Sequence, residues 1–190
     1  MRRLTKENYI CSQWSGGTTT QLYLAPEGAS YGDRDFLWRV SSATVELEES
    51  DFTALPDYDR WIATLEGSIT LTHGDGQRVC LAPYEVYAFD GGAHTHSRGR
   101  CTDFNLMVRK GKGRGALRAL RVSGEDGTTI EAALSGADGV LVLYCARGRC
   151  RLTEGGESIL LEAGDSVLAE AGAVLTARGQ AELMVAEVCF

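Results

Sequence analysis

Three prolines, three histidines and no long apolar run set the first limits on this 190-residue chain. No stretch approaches the ~20 apolar residues that a membrane-spanning helix needs. The start, MRRLTKENYICSQW, lacks the apolar core of a secretory signal. Both absences point to a cytoplasmic address with no membrane partner. The six cysteines (Cys11, Cys80, Cys101, Cys145, Cys150 and Cys189) show no C-x-x-C pair and no Cys/His zinc spacing. They read as small hydrophobes of a reducing compartment. A net charge of −7 argues against a nucleic-acid partner. Basic residues concentrate once, in VRKGKGRGALRALR, whose glycines suggest a flexible solvated linker. The other reading of that stretch is a docking site for an acidic partner. There is no Ser-His-Asp signature, no Walker loop and no dinucleotide G-x-G-x-x-G.

What is present is β periodicity. SITLTHGDGQRVCL is two short runs around Gly74-Asp75-Gly76, and CRLTEGGESILL repeats the pattern around Gly155-Gly156. Gly67, Leu71, Thr72 and Gly74 recur as Gly148, Leu152, Thr153 and Gly155, followed by LAPYEVYAFDGG against LEAGDSVLAEAG. Repetition in one order implies two β units, residues 1–110 with an N-terminal segment and 111–190 with the linker. Short strands with turn signals every 8–12 residues suggest an all-β sandwich or barrel. Only GALRALRV and TIEAALSG hint at helix. Leu161 to Gly172, L-x-x-G-D-x-V-x-x-x-x-G, resembles a cupin strand motif, so two copies would make a double cupin, or bicupin.

Four segments carry a more specific resemblance. WSGGTTTQL (Trp14–Leu22), WRVSSATVE (Trp38–Glu46), DYDRWIATLEG (Asp57–Gly67) and DFNLMVRKG (Asp103–Gly111) look like the HutD/Ves family of bicupins. Many members carry a longer N-G-G-G-x-T-R segment where this chain has Ser15-Gly16-Gly17-Thr18-Thr19-Thr20, without that asparagine and arginine. The resemblance implies a binder of a small metabolite of histidine catabolism, such as urocanate or a formylated amino acid. It attaches no reaction to the chain and implies no cofactor.

The histidines offer a competing, enzymatic reading. AHTHS places His94 and His96 two residues apart, as a metal-dependent isomerase or oxygenase of cupin type would, with Asp90 or Asp103 as third ligand. No histidine falls on the early strand, so exposed turn histidines are the favoured expectation. His73 is expected at a hairpin tip, away from the interior.

Arg60 is the more informative residue. Tyr58, Arg60, Ile62 and Thr64 share one strand face, and if that face lines a barrel the guanidinium lies inside it. There it needs either a carboxylate bridge, from Asp57, Asp59 or Asp103, or an anionic ligand. The resemblance favours the ligand. Asp103 and Asn105 share a face of DFNLMV, turned either into the cavity or to solvent, and a buried Asn suits an amide, formyl or imidazole group. In WRVSSATVE one of Ser41 or Ser42 must face inward. WSGGTTTQL adds Thr18, Thr19 and Thr20, with Trp14 as a stacking wall, or else forms an ordinary edge. The leading expectation is a metal-free binder of a small anionic metabolite, and the sequence is compatible with a homodimer.

Overall fold

The computed structural model describes residues 1–134 and 138–190. They form two units, Ile10–Gly113 and a second made of Met1–Tyr9 with Arg114–Phe190. Strand β1 (Arg2–Leu4) is followed by a 3-10 turn, Lys6–Asn8. The unit Ile10–Gly113 then contains β2 (Ile10–Trp14), β3 (Gly17–Ala25), β4 (Trp38–Val45), β5 (Glu49–Asp51) and β6 (Tyr58–Gly67). It continues through β7 (Ile69–His73), β8 (Arg78–Leu81), β9 (Val86–Asp90), β10 (Thr95–Arg98) and β11 (Cys101–Arg109). The rest of the chain is β12 (Arg114–Ile130), β13 (Gly139–Glu154), β14 (Glu157–Glu162), β15 (Ser166–Glu170) and β16 (Leu175–Cys189).

Within Ile10–Gly113 the strands make two sheets, ordered β2-β3-β4-β11-β6-β9 and β5-β10-β7-β8. Period-two alternation turns one side of each sheet inward. Val45 and Ile62 of the larger sheet pack with Ile69, Leu71 and Leu81 of the smaller one. Full burial of a side chain such as Leu71 stabilises by roughly 1.5–3 kcal/mol. A second cluster, Leu24, Phe36, Leu55, Tyr58 and Met107, closes the other end. Tyr58 anchors it, donating from its hydroxyl to the Phe36 and Arg34 carbonyls at 3.0 and 2.9 Å.

In the second unit the described residues form one sheet, β1-β15-β13-β16-β12 with β14 on β13, all of it antiparallel. Its core is aliphatic: Leu141, Leu143, Leu152, Leu161, Val167, Leu175 and Leu183. The Gly74 and Gly155 turns join β7 to β8 and β13 to β14, as the hairpin signals indicate.

Two expectations are corrected. GALRALRV is not helical: it is the first half of β12, paired with β16 from Gly115↔Val188 to Val122↔Ala181. Ladder pairing and the burial of Leu117 and Val122 override the weak helix propensity of Ala, Leu and Arg. In TIEAALSG, Thr129 and Ile130 end β12 and residues 131–134 have no helix, while Ser135 and Gly136 lie outside the described residues. The basic stretch is also less open than a free linker. Its turn is confined to residues 110–113. Arg109, Lys110, Arg118 and Arg121 pair with Asp35, Asp90, Glu187 and Glu182 of the same chain.

Candidate functional site

The inner face of the larger sheet in Ile10–Gly113 carries three cross-strand rows. Arg39, Met107 and Arg60 stand side by side on β4, β11 and β6. The next row is Ser41, Asn105 and Ile62, and the third Ala43, Asp103 and Thr64, with Thr19 and Ser12 extending it across β3 and β2. Apart from Ile62 and Thr64, these side chains wall a cavity of about 350 Å³, closed on other sides by Tyr31, Phe52 and Thr53. Trp14, 41% exposed, stands at its rim.

Arg60 is 6% exposed. Its Nη2 donates to Asn105 Oδ1 at 3.3 Å and its Nη1 to the Thr53 carbonyl at 3.4 Å, while Nε is buried with no partner among the described residues. The guanidinium lies against the rings of Phe52 and Phe89, 4.9 and 5.1 Å from their centroids. Among the described residues it has no carboxylate at ion-pair distance, so neither Asp57, Asp59 nor Asp103 forms the bridge considered from the sequence. Burial is the main cause that pushes Arg60 down to about 10, partly offset by Tyr31 and Asp103, so it remains charged at neutral pH.

Asp103 is 4% exposed and turns into the cavity rather than to solvent. Its Oδ1 accepts from Asn105 Nδ2 at 2.6 Å and from the Ala43 amide at 3.3 Å. Burial raises its carboxyl to about 7, against the opposing effect of Arg60, these hydrogen bonds and Arg39. The cavity therefore holds a carboxyl that changes charge near neutrality beside a fixed cation.

Six of the nine residues singled out in the sequence line this cavity: Arg60, Asn105, Asp103, Ser41, Thr19 and Trp14. Ser42, Thr18 and Thr20 do not. Alternation places them on the opposite face, where Ser42 Oγ donates to the Asp103 carbonyl at 2.7 Å and Thr20 Oγ1 lies 3.6 Å from Cys11 Sγ. Sequence reasoning missed Arg39, Tyr31, Phe52 and Thr53. Arg39 was within reach, because it shares a face with Ser41 by simple alternation. The other three lie on irregular segments without periodicity.

The histidines fall elsewhere. His94 is exposed ahead of β10. His96 sits within that strand rather than in a turn, its Nδ1 2.9 Å from Asp51 and its Nε2 3.9 Å from Glu49. Neither meets Asp103, which belongs to the other sheet, and Asp90 is held by Lys110 at 2.7 Å. Among the described residues no group of three His, Cys, Asp or Glu side chains is placed to hold a metal ion. His73 is not at an exposed tip: it shares the inward face of β7 with Ile69 and Leu71. Its ring nitrogens pair with Thr95 Oγ1 at 2.9 Å and the Tyr87 hydroxyl at 3.0 Å.

Two sheets around a cavity lined by polar side chains, in a nearly all-β chain, are the arrangement of the cupin fold, which solved cupin structures share with it. The HutD family profile matches residues 6–185, and the chain belongs to that family. Among solved structures it is similar to a conserved protein of unknown function from Pseudomonas aeruginosa, 26% identical over 100% of this chain and 98% of that one, with a TM-score of 0.81. HutD from Pseudomonas fluorescens is 20% identical over 99% and 97%, with a TM-score of 0.74. A cupin 2 conserved barrel domain protein from Leptotrichia buccalis shares the fold at 9% identity, over 100% and 96%, with a TM-score of 0.60. No curated protein sequence matches the chain closely enough to count as a relative. No helix among the described residues is long and apolar enough to cross a membrane.

Proposed function

We propose that this HutD-family chain binds a small carboxylate-bearing metabolite in the cavity of Ile10–Gly113, with Arg60 as the clamp. The observation that supports this reading is a buried guanidinium that faces a cavity and has no carboxylate partner among the described residues. A desolvated charge left unpaired costs several kcal/mol, and a planar guanidinium matches a carboxylate bidentately. Asn105 and Asp103 orient the ligand from the clamp side, Ser41 and Thr19 offer hydroxyls, and Trp14 supplies an aromatic rim. Urocanate or a formylated amino acid from histidine breakdown has the right charge and polar edge. Binding without turnover would let the chain sense or buffer flux through that pathway in the cytoplasm, an address with which its six free thiols agree.

Calorimetric titration with urocanate, histidine and formylglutamate tests the reading. One of the two anionic compounds is expected to bind saturably. One charge-assisted hydrogen-bonded contact is worth roughly 1.5–3 kcal/mol, so Arg60→Met should weaken it about tenfold to a hundredfold while the fold is kept. Equal affinity in the variant removes the clamp.

A further inference from the structure

Arg60 has a counterpart in the same wall of the cavity. Arg39 is also 6% exposed, and the two stand in one row on either side of Met107, with β11 between their strands. Two strand spacings put their backbone attachments about 10 Å apart. Each is fixed separately and by neutral groups. Arg39 Nε donates to Gln21 Oε1 at 3.0 Å, and its guanidinium lies 4.1 Å over the Tyr31 ring. Arg60 is held by Asn105, the Thr53 carbonyl and the faces of Phe52 and Phe89. Among the described residues neither has a carboxylate at ion-pair distance. Of the acids that line the cavity, Asp51 is exposed and engaged by His96, and Asp103 is engaged by Asn105 and the Ala43 amide.

We infer that the two arginines are two separate anion seats, and that the ligand is a short dicarboxylate held at both ends. This rests on the anion-binding reading above and narrows it to a chemical class. A guanidinium carries five N–H donors. Arg39 spends one on Gln21 and Arg60 spends two, so each keeps donors for a carboxylate. The two guanidinium groups have different settings, Arg39 over the Tyr31 ring and Arg60 against Phe52 and Phe89, with Met107 between their attachments. With Asp103 protonated, the two guanidinium charges of the cavity are matched by a dianion and only half matched by a monoanion. About 350 Å³ accommodates a five-carbon diacid.

The test is calorimetry on the full chain with glutarate, with pentanoate (equal in carbon count, one carboxylate fewer) and with inorganic phosphate. Glutarate is expected to bind at least about tenfold more tightly than pentanoate, the equivalent of one charge-assisted contact. Arg39→Met should erase that preference, bringing glutarate affinity down to the level of pentanoate. Arg39→Lys, which keeps the charge and most of the stem, should restore part of it and so separates charge from packing. Equal affinities for glutarate and pentanoate, or phosphate binding as tightly as glutarate, would overturn the two-seat inference and leave the Arg60 clamp standing. No binding of any of the three acids would overturn the anion reading itself.

Discussion

Asn105 donates from Nδ2 to Asp103 Oδ1 at 2.6 Å, two residues along the same inward strand face. The same amide accepts from Arg60 through its oxygen, at 3.3 Å. One side chain thus spans the acid and the base of the cavity without letting them touch. The arrangement keeps a guanidinium available to an outside anion, because the nearby carboxyl is occupied by a neutral group. It also leaves Asp103 dominated by desolvation, which has a measurable consequence.

Burial raises the Asp103 carboxyl from near 4 to about 7. Between about pH 4 and 7 the unfolded chain has released this proton while the folded chain keeps it. The unfolded state then binds fewer protons, so this group's contribution to stability is present at low pH and is lost as pH rises. The total is on the order of a few kcal/mol. Asp103→Asn lacks the ionisation. Urea unfolding of both proteins from pH 4.5 to 8 should show their stability difference moving steadily in favour of the variant, and a constant difference would contradict it.

Glu187, 1% exposed, ties the end of β12 to β16 by accepting from the Ala133 and Leu134 amides at 2.6 and 3.0 Å and from Arg118 Nε at 3.3 Å. Glu187→Ala strands two backbone donors, while Arg118, partly exposed, keeps its bond to the Glu131 carbonyl. The expected loss is about 3 kcal/mol in chemical unfolding, together with faster hydrogen exchange at residues 133 and 134. A loss below ~1 kcal/mol would show that these donors find other partners.

The Gly16-Gly17 pair has a steric reason. Gly17 has φ of +148°, and a methyl there would overlap the Thr44 carbonyl oxygen; a methyl on Gly16 would overlap the Trp14 ring. Gly17→Ala is expected to cost about 1–3 kcal/mol. It should also weaken anion binding, because Thr19 and the rim follow on the same hairpin. Thermal unfolding and calorimetry of the one variant check both effects.

Much of this was legible in the sequence because β-strands write their faces with period two. Arg60 with Ile62, and Asp103 with Asn105, turn inward together, and the hairpins at Gly74 and Gly155 follow their turn residues. The same rule left Ser41 and Ser42 undecided, since alternation gives two faces but not which one is inside. The pairing of Ser41 with Asn105 decides it. Tyr31, Phe52 and Thr53 reach the cavity from irregular segments whose course is set by tertiary contacts. β12 misled for the opposite reason: its Ala, Leu and Arg content favours helix locally, and only pairing with β16 makes it a strand.

The central claim is that Arg60 receives the anion, and the Arg60 Nε–H signal reports on it directly. In ¹⁵N-labelled protein, the peak absent from the Arg60→Met spectrum identifies this group. Titration with the tightest-binding carboxylate should move that peak saturably, with the affinity found by calorimetry. Calorimetric binding with the Arg60 peak unmoved would place the anion elsewhere and contradict the clamp.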